Sequence, residues 1–348
     1  MRAGVSIVIC TYNGASLLPE TLRHLAQQRV RADIPWQLIV VDNASTDTTA
    51  QVIREEWGKY RTSARFTPLY QPTPGLSHAR ALGLHHAVYE FVLFCDDDNW
   101  LNPDYVNLAY DLMQQHPSIG VLGGHGELVY EKEPPAWAAA LPLFANGPQE
   151  KKSGKVARKA VYGAGCILRK SGYEAILQAG FQPLLSDRKG AMLSSGGDYE
   201  ICYAFVLAGY DIWYDDRLRF KHFMTANRQT WEYYVRFFKQ RAQSFEVLIP
   251  YSIFIRYRSR NLWSFHFVLL RLILSSLKML FPLLINKMRL DPDSDAGKIN
   301  SLHIKSRMAR IKSYRRYRAM KKNFLQISNF KQKKVNHSPS ESINELSI

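Results

Sequence analysis

The chain has 348 residues with the composition of an ordinary globular protein, 46% hydrophobic and 22% charged, enough to bury one large core and still carry a second region. Its formal net charge of +16 is unevenly placed: residues 1–225 are close to balance, whereas Lys and Arg crowd the chain after His222 and suit an acidic partner, either anionic lipid or nucleic acid. Four single cysteines, Cys10, Cys95, Cys166 and Cys202, exclude a disulfide framework or a Cys-x-x-Cys zinc site and read as small buried hydrophobes in a reducing compartment.

Residues 5–10 are an apolar run that predicts a first strand ending in the polar turn Thr11-Tyr12-Asn13-Gly14. A core strand this early leaves no expectation of a signal peptide. Leu17, Leu18, Leu22 and Leu25 recur at helical spacing. A second apolar strand, 38–41, ends in Asp42-Asn43-Ala44-Ser45, and strand, helix, strand of this kind argues a parallel sheet with a crossover helix. Ser45-Thr46-Asp47 can cap the next helix, residues 66–70 make a third strand, and Pro72-Thr73-Pro74-Gly75 turns into a helix from residue 76.

The run Phe91-Val92-Leu93-Phe94-Cys95 reads as a fourth strand, buried on both faces, and it ends in Asp96-Asp97-Asp98. The order βαβαβαβ is that of a doubly wound, Rossmann-like α/β half, in which ligands bind just past the carboxyl ends of the strands. Three like charges in a row repel unless a cation sits among them, and a hard divalent metal carrying a phosphorylated ligand would serve. An acidic turn capping the next helix is the plainer alternative. Further on, residues 119–129 read as a strand broken at Gly123-Gly124, and 131–160 as a long loop, a lid or a binding segment. Gly196-Gly197-Asp198-Tyr199-Glu200 opens a helix, and two short strands, 212–214 and 218–223, follow, the second bearing His222.

After residue 225 the pattern changes. Trp231, Tyr234, Phe238, Ala242 and Phe245 give a helix an aromatic face with a basic margin, suited either to an anionic membrane or to packing on the preceding domain. Residues 262–285 are long and apolar enough to cross a bilayer, but Ser264, Arg271, Ser275 and Lys278 share one face and Pro282 would kink the helix. This favours a helix lying in the interface or paired in a hairpin. Arg310, Lys312, Arg315, Arg316, Arg318, Lys321, Lys322, Lys331, Lys333 and Lys334 then precede a polar, Ser-rich end.

Over about residues 4–225 this constellation resembles the nucleotide-sugar glycosyltransferases of family 2, which have the GT-A fold. The resemblance rests on the opening strand and turn through Asn13, Val41-Asp42-Asn43-Ala44-Ser45-x-Asp47, Gly75 with Ala79-Arg80, Asp96-x-Asp98, Gly197-Asp198-x-Glu200, and His222. Two positions depart from it: Asn43-Ala44, where the family often has Asp-Gly, and Gly197, where it often has Glu.

The resemblance implies an α/β GT-A domain over 1–225, and the residue pattern beyond it predicts an amphipathic and apolar helical region over 226–290 suited to membrane association and a basic, partly disordered tail over 291–348. It implies that Thr11, Tyr12, Asn13, Asp42, Asn43, Arg80, Asp96 and Asp97 hold the nucleotide-sugar donor and that Asp98 and His222 hold Mn²⁺ or Mg²⁺ at the diphosphate. Asp198, kept ionised at a helix N-terminus, would be the base for an acceptor hydroxyl on a glycan or lipid-linked acceptor, giving transfer with inversion. Gly163-Ala164-Gly165-Cys166 would let backbone approach donor or acceptor, or simply pack tightly. The enzyme would work at the cytoplasmic face of the cell membrane, toward a surface polysaccharide or glycolipid. It would add single sugars, since no Gln-x-x-Arg-Trp motif is present. Binding of nucleic acid by the basic region is the rival from another class, although it leaves the acid-tipped strand unexplained. A phosphatase would carry its Asp-x-Asp on a first strand, and a dinucleotide oxidoreductase would need a Gly-x-Gly-x-x-Gly turn.

Overall fold

The computed structural model describes residues 2–141, 143–185, 196–258 and 261–329. Strand β1 (Arg2–Thr11), buried from Gly4 to Ile9, lies between β2 (Trp36–Asp42) and β4 (Tyr89–Phe94), both parallel to it, and β3 (Arg65–Tyr70) extends the sheet beyond β2. Crossover helices α1 (Leu18–Ala26), α2 (Thr49–Gly58) and α3 (Leu76–His86) return the chain between them. Past β4 the sheet changes character: β8 (Ile167–Arg169) is antiparallel to β4 and to β6 (Ile119–Tyr130), and β9 (Asp211–Met224) is parallel to β6. The short strands β5 (Asn99–Leu101) and β7 (Gly154–Lys155) both pair antiparallel with β9.

Alternation along the central strands divides the interior into two layers. Ile7, Ile9, Leu38 and Val40 meet α1, α2 and α4 (Tyr105–Gln115), whereas Val8, Ile39 and Val41 face the side of α3, α6 (Lys170–Gln178) and α7 (Gly197–Leu207). This mixed α/β sheet is the expected fold class. Two boundaries differ from the sequence reading. Residues 212–223 form one strand rather than two, and β6 continues through Gly123-Gly124 with a shift of register there. Pairing with the long β9 supplies the continuity that the glycines lack on their own.

The loop after β6 is tied down among the described residues. Its short helix α5 (Ala136–Ala139) puts Trp137 against Tyr234, and Gln149 donates to the Gly124 carbonyl and accepts from the Tyr162 amide. Helix α8 (Trp231–Gln240) therefore buries Tyr233, Tyr234 and Phe238 against Trp137, Leu141 and Leu302, so its aromatic face belongs to the protein interior.

Helices α9 (Phe245–Tyr257), α10 (Leu262–Arg289), α11 (Asp295–Ser313) and α12 (Tyr317–Ser328) complete the chain. Within the tail expected to be basic and partly disordered, α11 and α12 give residues 295–328 helical structure. Leu302, Ile304, Met320, Phe324 and Ile327, sparse among the cations, all bury, and the Phe324 ring lies tilted against that of Phe265, 4.9 Å between centroids, and meets Phe254 edge-on. Lys331, Lys333, Lys334 and the Ser-rich end lie outside the described residues.

Phe324→Ala leaves a cavity where α9, α10 and α12 meet and should lower stability by about 3–5 kcal/mol. Urea unfolding followed by tryptophan fluorescence checks this; an unchanged midpoint would mean that α12 is not part of the cooperative fold.

Candidate active site

The parallel strands end together. Thr11, at the end of β1, is in register with Asp42 at the end of β2, and one strand over β4 runs out into Cys95-Asp96-Asp97-Asp98. The Asn99 amide donates to the Asp96 carbonyl and closes the acidic turn, after which β5 starts its pairing with β9 through Asn99 opposite His222. That pairing brings Asp98 and His222 together from opposite ends of the sequence.

The three acids have three different settings. Asp96 is half-buried at the rim. Asp97 turns inward and accepts a hydrogen bond from the Thr11 hydroxyl at 2.5 Å, while its carbonyl accepts from Thr21 at 2.7 Å. Burial, and then the charge of Asp98, push the Asp97 carboxyl up to about 7, with Thr11 and Arg228 pulling the other way. Asp98, 3% exposed, accepts from Arg228 at 2.5 Å and lies 3.5 Å from His222 Nε2.

Arg228 is the residue that sequence reading missed. It lies six residues beyond His222, in the short turn between β9 and α8, and is distinguished by nothing in its neighbours. Burial works against its charge, but Asp98 more than offsets this and holds the guanidinium above its usual range. Asp98 and His222 offer one oxygen and one nitrogen in a buried setting, and His222 Nδ1 is buried without a hydrogen-bond partner among the described residues. Such a pair suits a divalent ion that keeps most of its waters, in exchange for Arg228. No cluster of three or more His, Cys, Asp and Glu that could hold a metal gathers anywhere among the described residues, this site included.

On the β1 and β2 side, Tyr12 is 48% exposed at the rim. Asn13 and Asp42 build the surrounding turn: Asn13 Oδ1 accepts from the Thr46 amide and Asp42 Oδ1 from the Ser45 amide. Asn43 ties down the 71–75 turn, donating to the carbonyls of Gln71 and Thr73 and accepting from the Gly75 amide. Ala44 has φ of 58°, a left-handed conformation that glycine adopts at no steric cost, which gives the Asp-Gly habit at this position a physical reason.

The second carboxylate pair separates cleanly. Asp198, in the first turn of α7, accepts from the Gly163 amide at 2.8 Å and borders a small pocket with Arg80, Phe94, Gly163 and Cys166. A Cβ on Gly163 would come within 3.2 Å of Asp198 Cβ and 3.1 Å of the Arg80 guanidinium, a tight approach that a larger residue could make only by shifting these side chains by a few tenths of an ångström. Glu200 is fully buried, and its two oxygens accept the amides of Leu184 and Leu185 at 2.9 Å each. Arg80 stands over the Phe94 ring on the Asp198 side of the strand tips. The buried Cys166 thiol, pushed up to about 12 chiefly by burial, lines the same pocket as Arg80 and Asp198.

The sequence model of Glycosyl transferase family 2 matches residues 6–176. The poly(ribitol-phosphate) beta-N-acetylglucosaminyltransferase TarS of Staphylococcus aureus is 32% identical over 118 residues, 32% of this chain and 19% of that one. The chondroitin synthase of Escherichia coli is 31% identical over 122 residues, 34% of this chain and 17% of that one. The chain thus matches less than a fifth of the length of these curated relatives. Among solved structures, a mannosyltransferase from Pyrobaculum calidifontis superposes with a TM-score of 0.54 at 16% identity, covering 89% of this chain and 88% of that one. Residues 1–349 of S. aureus TarS superpose with a TM-score of 0.52 at 18% identity, covering 90% and 92%. The fold is GT-A.

Gly14 packs so closely that a Cβ there would lie 2.0 Å from Thr11 Oγ1 and 2.7 Å from Asp97 Oδ2. Gly14→Ala should therefore break the Thr11–Asp97 hydrogen bond and lower stability by about 1–3 kcal/mol. Urea unfolding checks this, and an unchanged midpoint would mean that the turn relaxes around the added methyl group.

Proposed function

The chain belongs to glycosyl transferase family 2 through residues 6–176, and from that premise we propose that it moves one sugar, with inversion, from a nucleotide-diphosphate donor to an acceptor hydroxyl. UDP is the proposed nucleotide and a glycan or lipid-linked acceptor of a surface polysaccharide or glycolipid the proposed target, worked on at the cytoplasmic face of the cell membrane. The observation that supports the reading is the pocket lined together by Arg80, Gly163, Cys166 and Asp198, on a sheet whose neighbouring strand tips hold Thr11, Asp97 and Asp98. The names of the staphylococcal and E. coli relatives support transfer into polymers, and the archaeal neighbour, seen with GDP-Man and Mn²⁺, supports a nucleotide-sugar donor.

In this reading Tyr12, Asn13, Asp42 and Asn43 shape the nucleoside end of the cleft, and Asp96 reaches the ribose or the transferred sugar. Asp198 takes the acceptor proton. The acceptor oxygen forms its bond to the anomeric carbon as the bond to the diphosphate oxygen breaks, with the electron pair leaving on the diphosphate. Attack from the face opposite the leaving group inverts the centre. Arg80 sits beside Asp198, where it orients the base or meets the diphosphate. A bound Mn²⁺ or Mg²⁺, held by Asp98 and His222, would neutralise the charge developing on the leaving diphosphate. Arg228 keeps Asp98 in place until the donor arrives, and its release opens the carboxylate. The geometry of Glu200 supports a structural part for that residue, which leaves Asp198 as the base.

Two outcomes test this. Asp198→Asn should keep donor binding and melting temperature but lose about 100- to 10,000-fold in turnover, whereas Glu200→Gln should lower the melting temperature by weakening the tie to Leu184 and Leu185. Turnover retained in Asp198→Asn would move the base elsewhere. In calorimetry with UDP and Mn²⁺, Asp98→Ala should abolish the metal-dependent part of the heat, and its persistence would remove Asp98 from the metal site.

A further inference from the structure

Helix α10 presents three faces. One packs inward through Phe265, Leu269 and Ser276, the last hydrogen-bonded to Tyr314, and the Asn300 amide of α11 reaches the Leu283 carbonyl near the far end. A second face is apolar yet stands in water. Trp263, Phe267, Leu270, Leu274, Leu277 and Phe281 follow one another at steps of four and three, each between 48% and 81% exposed, and the rhythm continues to position 288. Such steps confine the side chains to a stripe about 100° wide. On one margin of the stripe stand Arg271 and Lys278, seven residues apart and both exposed, and no Asp or Glu occurs between Leu262 and Arg289.

We propose that this stripe lies flat along an anionic lipid surface, its apolar side chains at the acyl boundary and Arg271 and Lys278 at the phosphates. The setting is the membrane-face location proposed above, but the inference does not depend on the transfer chemistry. Charge decides among the occupants. Pairing the stripe antiparallel with a second copy would bring the Arg271 and Lys278 margins against each other, and parallel pairing would offer these cations no acid. A crossing α10 would carry α11, packed along its inward face with Lys298, Lys305, Arg307 and Arg310, into the hydrocarbon, where those cations are costly. A phospholipid headgroup layer matches both an apolar stripe and a cationic margin. The surrounding region has the same bias: residues 226–290 hold eleven Lys and Arg against only Glu232 and Glu246.

The test is flotation of the full-length protein with vesicles, without donor or acceptor. Binding is expected to vesicles of phosphatidylglycerol mixed with phosphatidylcholine, and to be weak on pure phosphatidylcholine and reduced by high salt. Phe267→Ser with Leu274→Ser should weaken binding about tenfold on both vesicle types, and Arg271→Glu with Lys278→Glu about tenfold on the anionic vesicles alone. Asp98→Ala should bind vesicles as the parent does, so that loss of transfer and loss of binding are read separately. Unaltered melting temperatures exclude unfolding as the cause. Vesicle binding that survives both double substitutions, or protein that resists alkaline extraction, overturns the proposal, the latter in favour of a span. Concentration-dependent dimers without vesicle binding, abolished by Leu274→Ser, overturn it in favour of a second copy.

Discussion

Three carboxylates at the tip of one buried strand create an electrostatic problem that the surrounding structure answers one acid at a time. Asp96 stays at the rim, where water screens it. Asp97 is turned inward, so burial raises its carboxyl toward neutrality while the Thr11 hydroxyl holds it. Asp98 remains deep and is matched by Arg228 and His222. A buried ion pair of this kind contributes little net stability over an apolar pair, but leaving either partner alone is costly. The arrangement therefore requires that whatever displaces Arg228 also bring positive charge, and the neighbouring strand ends must be placed accordingly.

The same logic of position separates Asp198 from Glu200. Two residues apart at the start of α7, they point to different places: one to the rim pocket beside Arg80, the other into the interior, where both its oxygens are occupied by backbone amides. A fully buried carboxylate held by two amides is suited to fixing the segment before it and poorly suited to exchanging protons with a substrate. Gly163 completes the division, because its bare backbone lets its amide reach Asp198 without crowding Arg80.

The C-terminal third packs against the α/β sheet domain and on itself. Helix α8 covers the loop that carries Trp137, α9 lies against α7, and α10 to α12 stack outside. Burying the inward faces of these helices leaves one apolar stripe of α10 without cover. An exposed stripe of that length on an otherwise cationic surface is a feature that invites a partner.

The sequence by itself determined the order of strands and crossover helices through Phe94 and the acidic tip, because apolar runs and polar strand ends are local signals, and its resemblance to a known family singled out Thr11, Asp42, Asp98, Asp198 and His222 as residues of interest. Only the tertiary structure decided what those residues touch. Thr11 serves Asp97, Asn43 serves the 71–75 turn, and Asp98 meets an arginine 130 residues away, none of which a local pattern encodes. The left-handed Ala44 was equally silent, since alanine does not announce positive φ as glycine does. The helical order of residues 295–328 was hidden for a related reason. Apolar side chains spaced among many cations resemble a solvated tail until a neighbouring surface, here that of α9 and α10, gives them somewhere to bury.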